Sequence, residues 1–63
     1  MKDSERYYLR DDGKLFMKKF EVGQWRWWYG RFPLGWGKYH SNWQPVMRYM
    51  KRIKYEDAIL ELI

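Results

Sequence analysis

Basic and aromatic side chains are interleaved in the middle of this chain, a combination that suits it to binding anions and flat rings. All five tryptophans lie between Trp25 and Trp43. Residues 22–55 hold seven lysines and arginines and no aspartate or glutamate. A positive groove can follow a phosphate backbone while bases stack on aromatic rings, each stack contributing ~1–3 kcal/mol. The segment therefore predicts a surface for an anionic partner.

The residues expected to contact that partner come from three short stretches. In a strand, alternate side chains share one face, so Trp25, Trp27 and Tyr29 could form a stacking platform. If residues 46–53 are helical, their basic side chains lie along one side. The full predicted set is Trp25, Arg26, Trp27, Tyr29, Arg31, Trp36, Lys38, Arg48, Lys51 and Arg52.

The same rings are also the best candidates for a hydrophobic core. A chain of 63 residues forms one domain, here 1–63, and a domain this small buries only about 60% of its unfolded surface. Each buried aromatic ring removes ~150–250 Å² from water. We therefore expect two classes of tryptophan. Trp28 and at least one tryptophan of the following loop should be structural, whereas one or more of Trp25, Trp27 and Trp36 should stay partly exposed.

Groups that could do catalysis or bind metals are sparse. The chain has no cysteine and one histidine, which excludes disulfides, thiolate metal sites and histidine-rich sites. His40 and Ser41 are neighbours in sequence, but no carboxylate stands near them to orient a base. Gly35-Trp36-Gly37 lacks the third glycine of a phosphate-binding loop. We expect a non-enzymatic protein with no metal and no cofactor.

The net charge of +5 and the isoelectric point near 9.6 favour anionic partners. The first hypothesis is nucleic acid, single-stranded by preference, or a nucleoprotein. The second is an acidic protein surface, bound by a small regulator or inhibitor of the kind found in phages and bacteria. A membrane surface is less favoured because no long amphipathic helix is apparent. No export signal or membrane span is visible, so a cytoplasmic location is expected, as a monomer or a homodimer.

Alternating side chains and turn residues predict three antiparallel strands. Asp12-Gly13 is a strong hairpin signal, because both residues tolerate positive φ. It separates Arg6–Arg10 from Lys14–Val22. Gly23-Gln24 then predicts a second turn, and Trp25–Phe32 a third strand, with Trp28 on the face opposite to Trp25 and Trp27.

The remaining residues predict an irregular segment followed by a helix. Residues 30–45 combine glycine and proline with many aromatic residues, which favours an ordered loop folded back over the sheet. Lys54–Ile63 predicts a helix, since Glu56 and Asp57 suit its first turn. Residues 46–53 are ambiguous, and we favour a short helix over a strand.

The expected fold is therefore α+β: a three-stranded antiparallel meander, an aromatic-rich loop and one or two C-terminal helices. The alternative is a small, partly closed β-barrel in which residues 46–53 form a fourth strand, followed by a C-terminal helix.

Overall fold

The structure, a computed structural model, describes residues 4–31, 35–40 and 42–63. Its single sheet has the strand order β4-β3-β2-β1-β5, with every neighbouring pair antiparallel, and it is not closed. The elements are β1 (Glu5–Arg10), β2 (Leu15–Glu21), β3 (Gln24–Arg31), β4 (Gly35–Lys38), a 3₁₀ turn (Met47–Tyr49), β5 (Met50–Ile53) and α1 (Tyr55–Leu62). The α+β class is as expected, but the sheet has five strands where three were predicted.

The hairpin between β1 and β2 confirms the Asp12-Gly13 prediction. The Gly13 N–H donates to the Arg10 carbonyl at 2.9 Å, and the Arg10 N–H donates to the Lys14 carbonyl at 2.8 Å. Gly13 has φ of +87°, the left-handed conformation that ends a three-residue hairpin loop. The Asp12 carboxylate stabilises the turn further by accepting from the Lys14 N–H at 3.1 Å.

The turn between β2 and β3 lies one residue earlier than predicted. Glu21 pairs with Gln24, so Val22 and Gly23 form the turn, with φ of 46° and 78°. Two consecutive positive φ values are typical of a type I′ turn, which prefers Asn-Gly. A β-branched valine in this conformation is an outlier and costs ~1–2 kcal/mol.

The prediction of a short helix over residues 46–53 was wrong for its second half. After one 3₁₀ turn, Met50–Ile53 pairs with β1, where Tyr7 lies opposite Ile53 and Arg10 lies opposite Met50. Pairing satisfies the backbone groups on the outer edge of β1. It also places one apolar residue on each face of the sheet, because Met50 and Ile53 pack against different core clusters.

Strand β4 arises within the segment predicted to be a loop. Gly37 lies opposite Tyr29, and the ring of Tyr29 occupies the space where a side chain at residue 37 would stand. A glycine-containing segment can therefore pair with β3, while Trp36 projects to the other face of the sheet.

The helix α1 covers one face of the sheet, which we call the helix face. The helix begins after Lys54 with Glu56 and Asp57 in its first turn, in agreement with the prediction. Its buried residues Ala58 and Leu62 join a cluster from the sheet. That cluster contains Tyr7, Leu15 and Met17, with Leu9, Trp28, Trp36, Ile53 and Ile59 packed against it.

The opposite face, which we call the loop face, is partly covered by Tyr39 and Trp43. Tyr8, Phe16 and Trp27 form its buried cluster, and Tyr39 and Trp43 pack on them. Tyr39 and Trp43 stack on each other at 3.6 Å between ring centroids. The described part of the aromatic segment thus folds back over the sheet, as expected. Of the sequence-based predictions, those for Phe32 and Ser41 fall outside the described residues.

Candidate functional site

Strand register brings basic and aromatic side chains together on the loop face. Arg6 of β1 pairs with Lys18 of β2, and Lys18 pairs with Trp27 of β3. This cross-strand row holds a guanidinium, an ammonium and an indole in sequence across three adjacent strands. Arg52 of β5 lies on the same face because it is opposite Tyr8, a member of the loop-face cluster.

Two of these cations, Arg6 and Lys18, lie at the ring of Trp25. The Arg6 guanidinium lies 4.9 Å from the centre of the Trp25 ring, and the Lys18 ammonium lies 4.8 Å from it. Lys18 is also 5.6 Å from the Trp27 ring. Phe20, directly opposite Trp25 in the sheet, meets it edge-on at 5.3 Å. We call Arg6, Lys18, Arg52 and Trp25 the basic-aromatic site.

The basic-aromatic site is electrostatically strained. Burial lowers the pKa of Lys18, and the positive charges of Arg6 and Arg52 lower it further. Within residues 4–31, 35–40 and 42–63, the ion pairs join Arg10 to Asp12, Lys19 to Glu5 and Lys38 to Glu21. None of them involves a cation of the site. A bound anion would relieve the mutual repulsion of these charges.

Arg6 also has unused hydrogen-bonding capacity. Its Nε atom is buried and has no hydrogen-bond partner among the described residues. Buried polar groups are normally paired, and an unpaired one is costly. A phosphate oxygen is a strong acceptor for a guanidinium, which favours bidentate contacts with such groups.

A cavity of about 260 Å³ adjoins the site on the loop face. Trp27 and Trp43, which meet edge-on at 6.1 Å, form part of its wall. Its lining also includes Lys18, Trp25, Gln44, Pro45 and Met47. An aromatic wall beside an ammonium group suits a flat ring that carries a nearby negative charge.

The stacked rings beside this cavity have a structural role. Trp43 stacks on Phe16 at 5.7 Å, and Tyr39 stacks on Phe16 at 6.3 Å. Phe16 is only 1% exposed. The segment that carries Tyr39 and Trp43 is therefore held by its own core contacts, and the cavity has a fixed wall.

The sheet distributes the predicted contact residues over both faces. Trp25 is half-buried in the basic-aromatic site, but Trp27 is only 8% exposed and belongs to the core. Tyr29 is 37% exposed and packs against Tyr39 at 4.9 Å. Trp36 lies on the helix face, 5.9 Å from the Tyr7 ring.

The predicted basic residues are also separated. Arg26 is opposite Lys19 on the helix face, and Lys38 lies over Trp28 at 5.2 Å while pairing with Glu21 at 3.7 Å. Arg31 is exposed near the end of β3. Because residues 50–53 form a strand, Lys51 and Arg52 point to opposite faces, and Arg48 lies over its neighbour Tyr49.

The sequence-based prediction did not include two residues of the site, Arg6 and Lys18, nor Trp43 in the wall of the adjoining cavity. Alternation along β2 already placed Lys18 on the same face as Phe16 and Phe20. The strand register that brings Arg6 beside Lys18 was the information that was missing.

Comparison of the chain with protein-family models, with curated proteins and with solved structures found no match. None of the helices in the described ranges combines the length and the apolar character needed to cross a membrane.

Proposed function

We propose that the protein binds single-stranded nucleic acid on the loop face and has no catalytic role. The observation that carries the proposal is the convergence of Arg6 and Lys18 on the Trp25 ring, with Arg52 near enough on the same face to help lower the pKa of Lys18, after burial and Arg6. Phosphate groups would neutralise this cluster, and a base would stack on the accessible part of Trp25.

Single-stranded nucleic acid fits the shape of this face better than a duplex does. A duplex presents its phosphates on the outside and keeps its bases stacked, so an indole among the cations would gain little. A single strand can turn its bases toward aromatic rings while its phosphates meet the cations. The cavity beside Lys18, walled by Trp27 and Trp43, offers a place for a second ring. A cytoplasmic location is part of this proposal, because single-stranded nucleic acid is available there.

A matched pair of variants tests the proposal. Arg52 and Lys51 are neighbours in β5, both are exposed, and they lie on opposite faces. Binding of a short oligothymidylate should be measured by fluorescence anisotropy over a range of salt concentrations. Arg52→Gln should weaken binding and reduce the slope of log affinity against log salt by about 0.7, the value for one lost phosphate contact on a single strand.

Lys51→Gln should leave both the affinity and the salt slope close to wild type, because its side chain lies on the helix face. Equal effects of the two substitutions would indicate nonspecific attraction to a basic protein and would contradict the site. Absence of oligonucleotide binding by the wild type at low salt would end the proposal.

A second candidate function is that of a small regulator that docks on a larger, acidic protein. An exposed patch beside the 3₁₀ turn favours it: Val46, Met47 and Tyr49 are 58%, 42% and 46% exposed, with Arg48 among them. Apolar side chains around an arginine are typical of protein interfaces. Binding through this patch should depend less on salt than phosphate binding does.

A further inference from the structure

The turn between β2 and β3 contains a residue that local structure does not favour. Val22 has φ of 46°, in a two-residue turn where asparagine or glycine fits best. It is the only non-glycine residue with positive φ in the part of the chain that the structure describes. A residue with a strained backbone of this kind points to a role for its side chain outside the local fold.

Packing does not compensate for the strained backbone. Val22 is 98% exposed, so its side chain gains nothing from burial. Phe20, two residues earlier, is 46% exposed and meets Trp25 edge-on. The end of this hairpin therefore presents an apolar tip, Val22, directly ahead of an aromatic pair, Phe20 and Trp25.

The two faces behind the tip differ in charge. On the loop face, Arg6 and Lys18 lie at the Trp25 ring. On the helix face, the carboxylates of Glu21 and Glu5 lie beside Lys38 at 3.7 Å and Lys19 at 3.9 Å. A polyanion that reaches the tip is therefore attracted along the loop face, and the mixed charges of the helix face do not compete for it.

We propose that this hairpin tip is a wedge that engages the junction where a duplex opens into a single strand. Val22 would contact the terminal base pair, and the Phe20–Trp25 pair would receive the first unpaired base. The strand would then continue over Arg6 and Lys18. Apolar side chains inserted at base steps are an established way for proteins to unstack them, and the end of a duplex is the least costly place to do so. The inference rests on the proposed binding of single strands by the loop face.

Val22→Asn tests the wedge because it should act in opposite directions on stability and on binding. Asparagine tolerates the left-handed conformation, so the variant should melt roughly 4–8 °C higher than wild type, as expected for relief of this strain in a small domain. Wild type should bind a tailed duplex about tenfold more tightly than the free tail, since only the duplex has a terminal base pair against which Val22 is buried. Val22→Asn should lose that preference while its affinity for the free tail stays unchanged.

A fluorescent base gives a direct measure of unstacking. With 2-aminopurine at the last paired position of the duplex, the wild type should raise its emission, and Val22→Asn should not. Ile63→Asn is the matched control, because Ile63 is also exposed but follows α1, outside the hairpin. It should behave as wild type in both assays.

The outcomes separate the wedge from the function on which it rests. Failure of the wild type to bind the free tail overturns the loop-face function, and the wedge with it. If the wild type binds the free tail normally, either of two results overturns the wedge alone. In the first, the wild type does not prefer the junction over the free tail. In the second, Val22→Asn keeps the preference that the wild type shows. A lower melting temperature for Val22→Asn overturns the strain argument.

Discussion

Lys18 is held in an environment that disfavours its positive charge. Burial, Arg6 and Arg52 lower its pKa in that order of importance. A lysine whose pKa is lower in the folded state than in the unfolded state binds fewer protons when folded. Its charge therefore opposes folding at neutral pH, and the penalty is lost as the pH rises toward the ordinary lysine pKa. The position is costly for the empty protein and useful to a protein that binds anions.

We predict that Lys18→Met stabilises the free protein at neutral pH and weakens its binding to single-stranded oligonucleotides. The stability difference between variant and wild type should shrink as the pH approaches the lysine range, because wild-type Lys18 is then neutral in both states. Thermal melts at several pH values measure the first effect, and anisotropy titrations measure the second.

Lys19→Met is the control for this substitution. Lys19 is adjacent in sequence but lies on the helix face, near Glu5 at 3.9 Å. It should show neither the gain in stability nor the loss of binding. A Lys18→Met variant that is less stable than wild type at neutral pH would contradict the electrostatic argument.

Asp12 gives the first hairpin a sensitivity to acid. Hydrogen bonds from the Arg10 side chain, and then from the Lys14 N–H, lower its pKa from 3.8 to about 2. Stability that comes from a lowered carboxyl pKa is present above the unfolded value and is lost as the pH falls through the folded value. The contribution of Asp12 to stability is therefore lost as the pH falls from 3.8 to about 2.

We predict that Asp12→Asn lowers the melting temperature at neutral pH and makes the acid limb of the stability curve shallower within that pH range. Asp11→Asn, at the neighbouring exposed position of the same turn, should keep a melting temperature close to wild type at neutral pH, because the turn's side-chain hydrogen bonds among the described residues go to Asp12. Melting curves at closely spaced acidic pH values decide between these outcomes. An acid limb of unchanged steepness in Asp12→Asn would show that the Arg10–Asp12 contact is irrelevant to stability.

At the scale of elements, the helix depends on a glycine in the strand beneath it. A Cβ atom at Gly30 would lie 2.9 Å from Leu62 Cδ2 and 3.0 Å from Leu15. Both neighbours are buried, so neither can move away freely. The absence of a side chain at residue 30 is what allows the end of α1 to approach the sheet.

We predict that Gly30→Ala destabilises the protein by ~1–3 kcal/mol, the usual cost of overpacking a core. Adding Leu62→Ala should recover part of the loss caused by Gly30→Ala, because the second change removes the clashing methyl group. A double-mutant cycle from chemical denaturation would measure this coupling. Strictly additive effects would mean that α1 does not rest on Gly30.

The elements that could be predicted from the sequence are those with strong local signals. Asp12-Gly13 identified the first hairpin, alternation identified the two faces of β3, and Glu56-Asp57 identified the start of α1. Strand β4 was missed, and a strand over residues 46–53 was only the alternative to the favoured helix, because a four-residue strand has too few positions to show alternation. Glycine-rich Gly35–Lys38 and basic Met50–Ile53 become strands only because an adjacent strand edge supplies hydrogen-bond partners.

The candidate site was predicted only in part for a related reason. Composition identified the tryptophans and the excess of positive charge, and strand alternation places Trp25 and Arg52 on the same face of the sheet. The partners of these two residues, Arg6 and Lys18, depend on strand register, which composition does not encode. Trp27 is the opposite case. It was predicted to contact the partner and lies on the same face as Trp25, but Trp43 packs against it.

At the scale of the whole molecule, the core is small, and half of its buried residues in the described ranges are aromatic. In the described ranges, its buried apolar residues number eight, and three of them are Tyr8, Phe16 and Trp27 on the loop face. Replacing a large buried ring with alanine costs ~3–5 kcal/mol, which is comparable to the whole stability of a domain this small.

We therefore predict that Trp27→Ala unfolds the protein or nearly so, whereas Trp25→Ala stays folded and loses affinity for oligonucleotides. Circular dichroism gives the first result and anisotropy the second. Acrylamide should quench Trp25 more than Trp27 in single-tryptophan variants that remain folded. A folded Trp27→Ala protein with wild-type melting behaviour would show that the loop-face cluster contributes little to stability.

The position of β5 has a consequence for the order in which the molecule assembles. Strands β1 to β4 each pair with a strand adjacent in sequence, whereas β5 joins β1 across most of the chain. Closing a long loop costs more entropy than closing a short one, so the local hairpins should form first and the β1–β5 pairing last. In stopped-flow kinetics, Ile53→Ala should then mainly accelerate unfolding, and Met17→Ala, in the central hairpins, should mainly slow folding.

Arg52 is carried by that last strand. A nascent or partly refolded chain with its hairpins complete would thus still lack one cation of the basic-aromatic site. The full affinity for a polyanion would be reached only when the final strand docks. A polyanion should consequently lower the unfolding rate and leave the folding rate nearly unchanged, because it binds most tightly to the completed sheet.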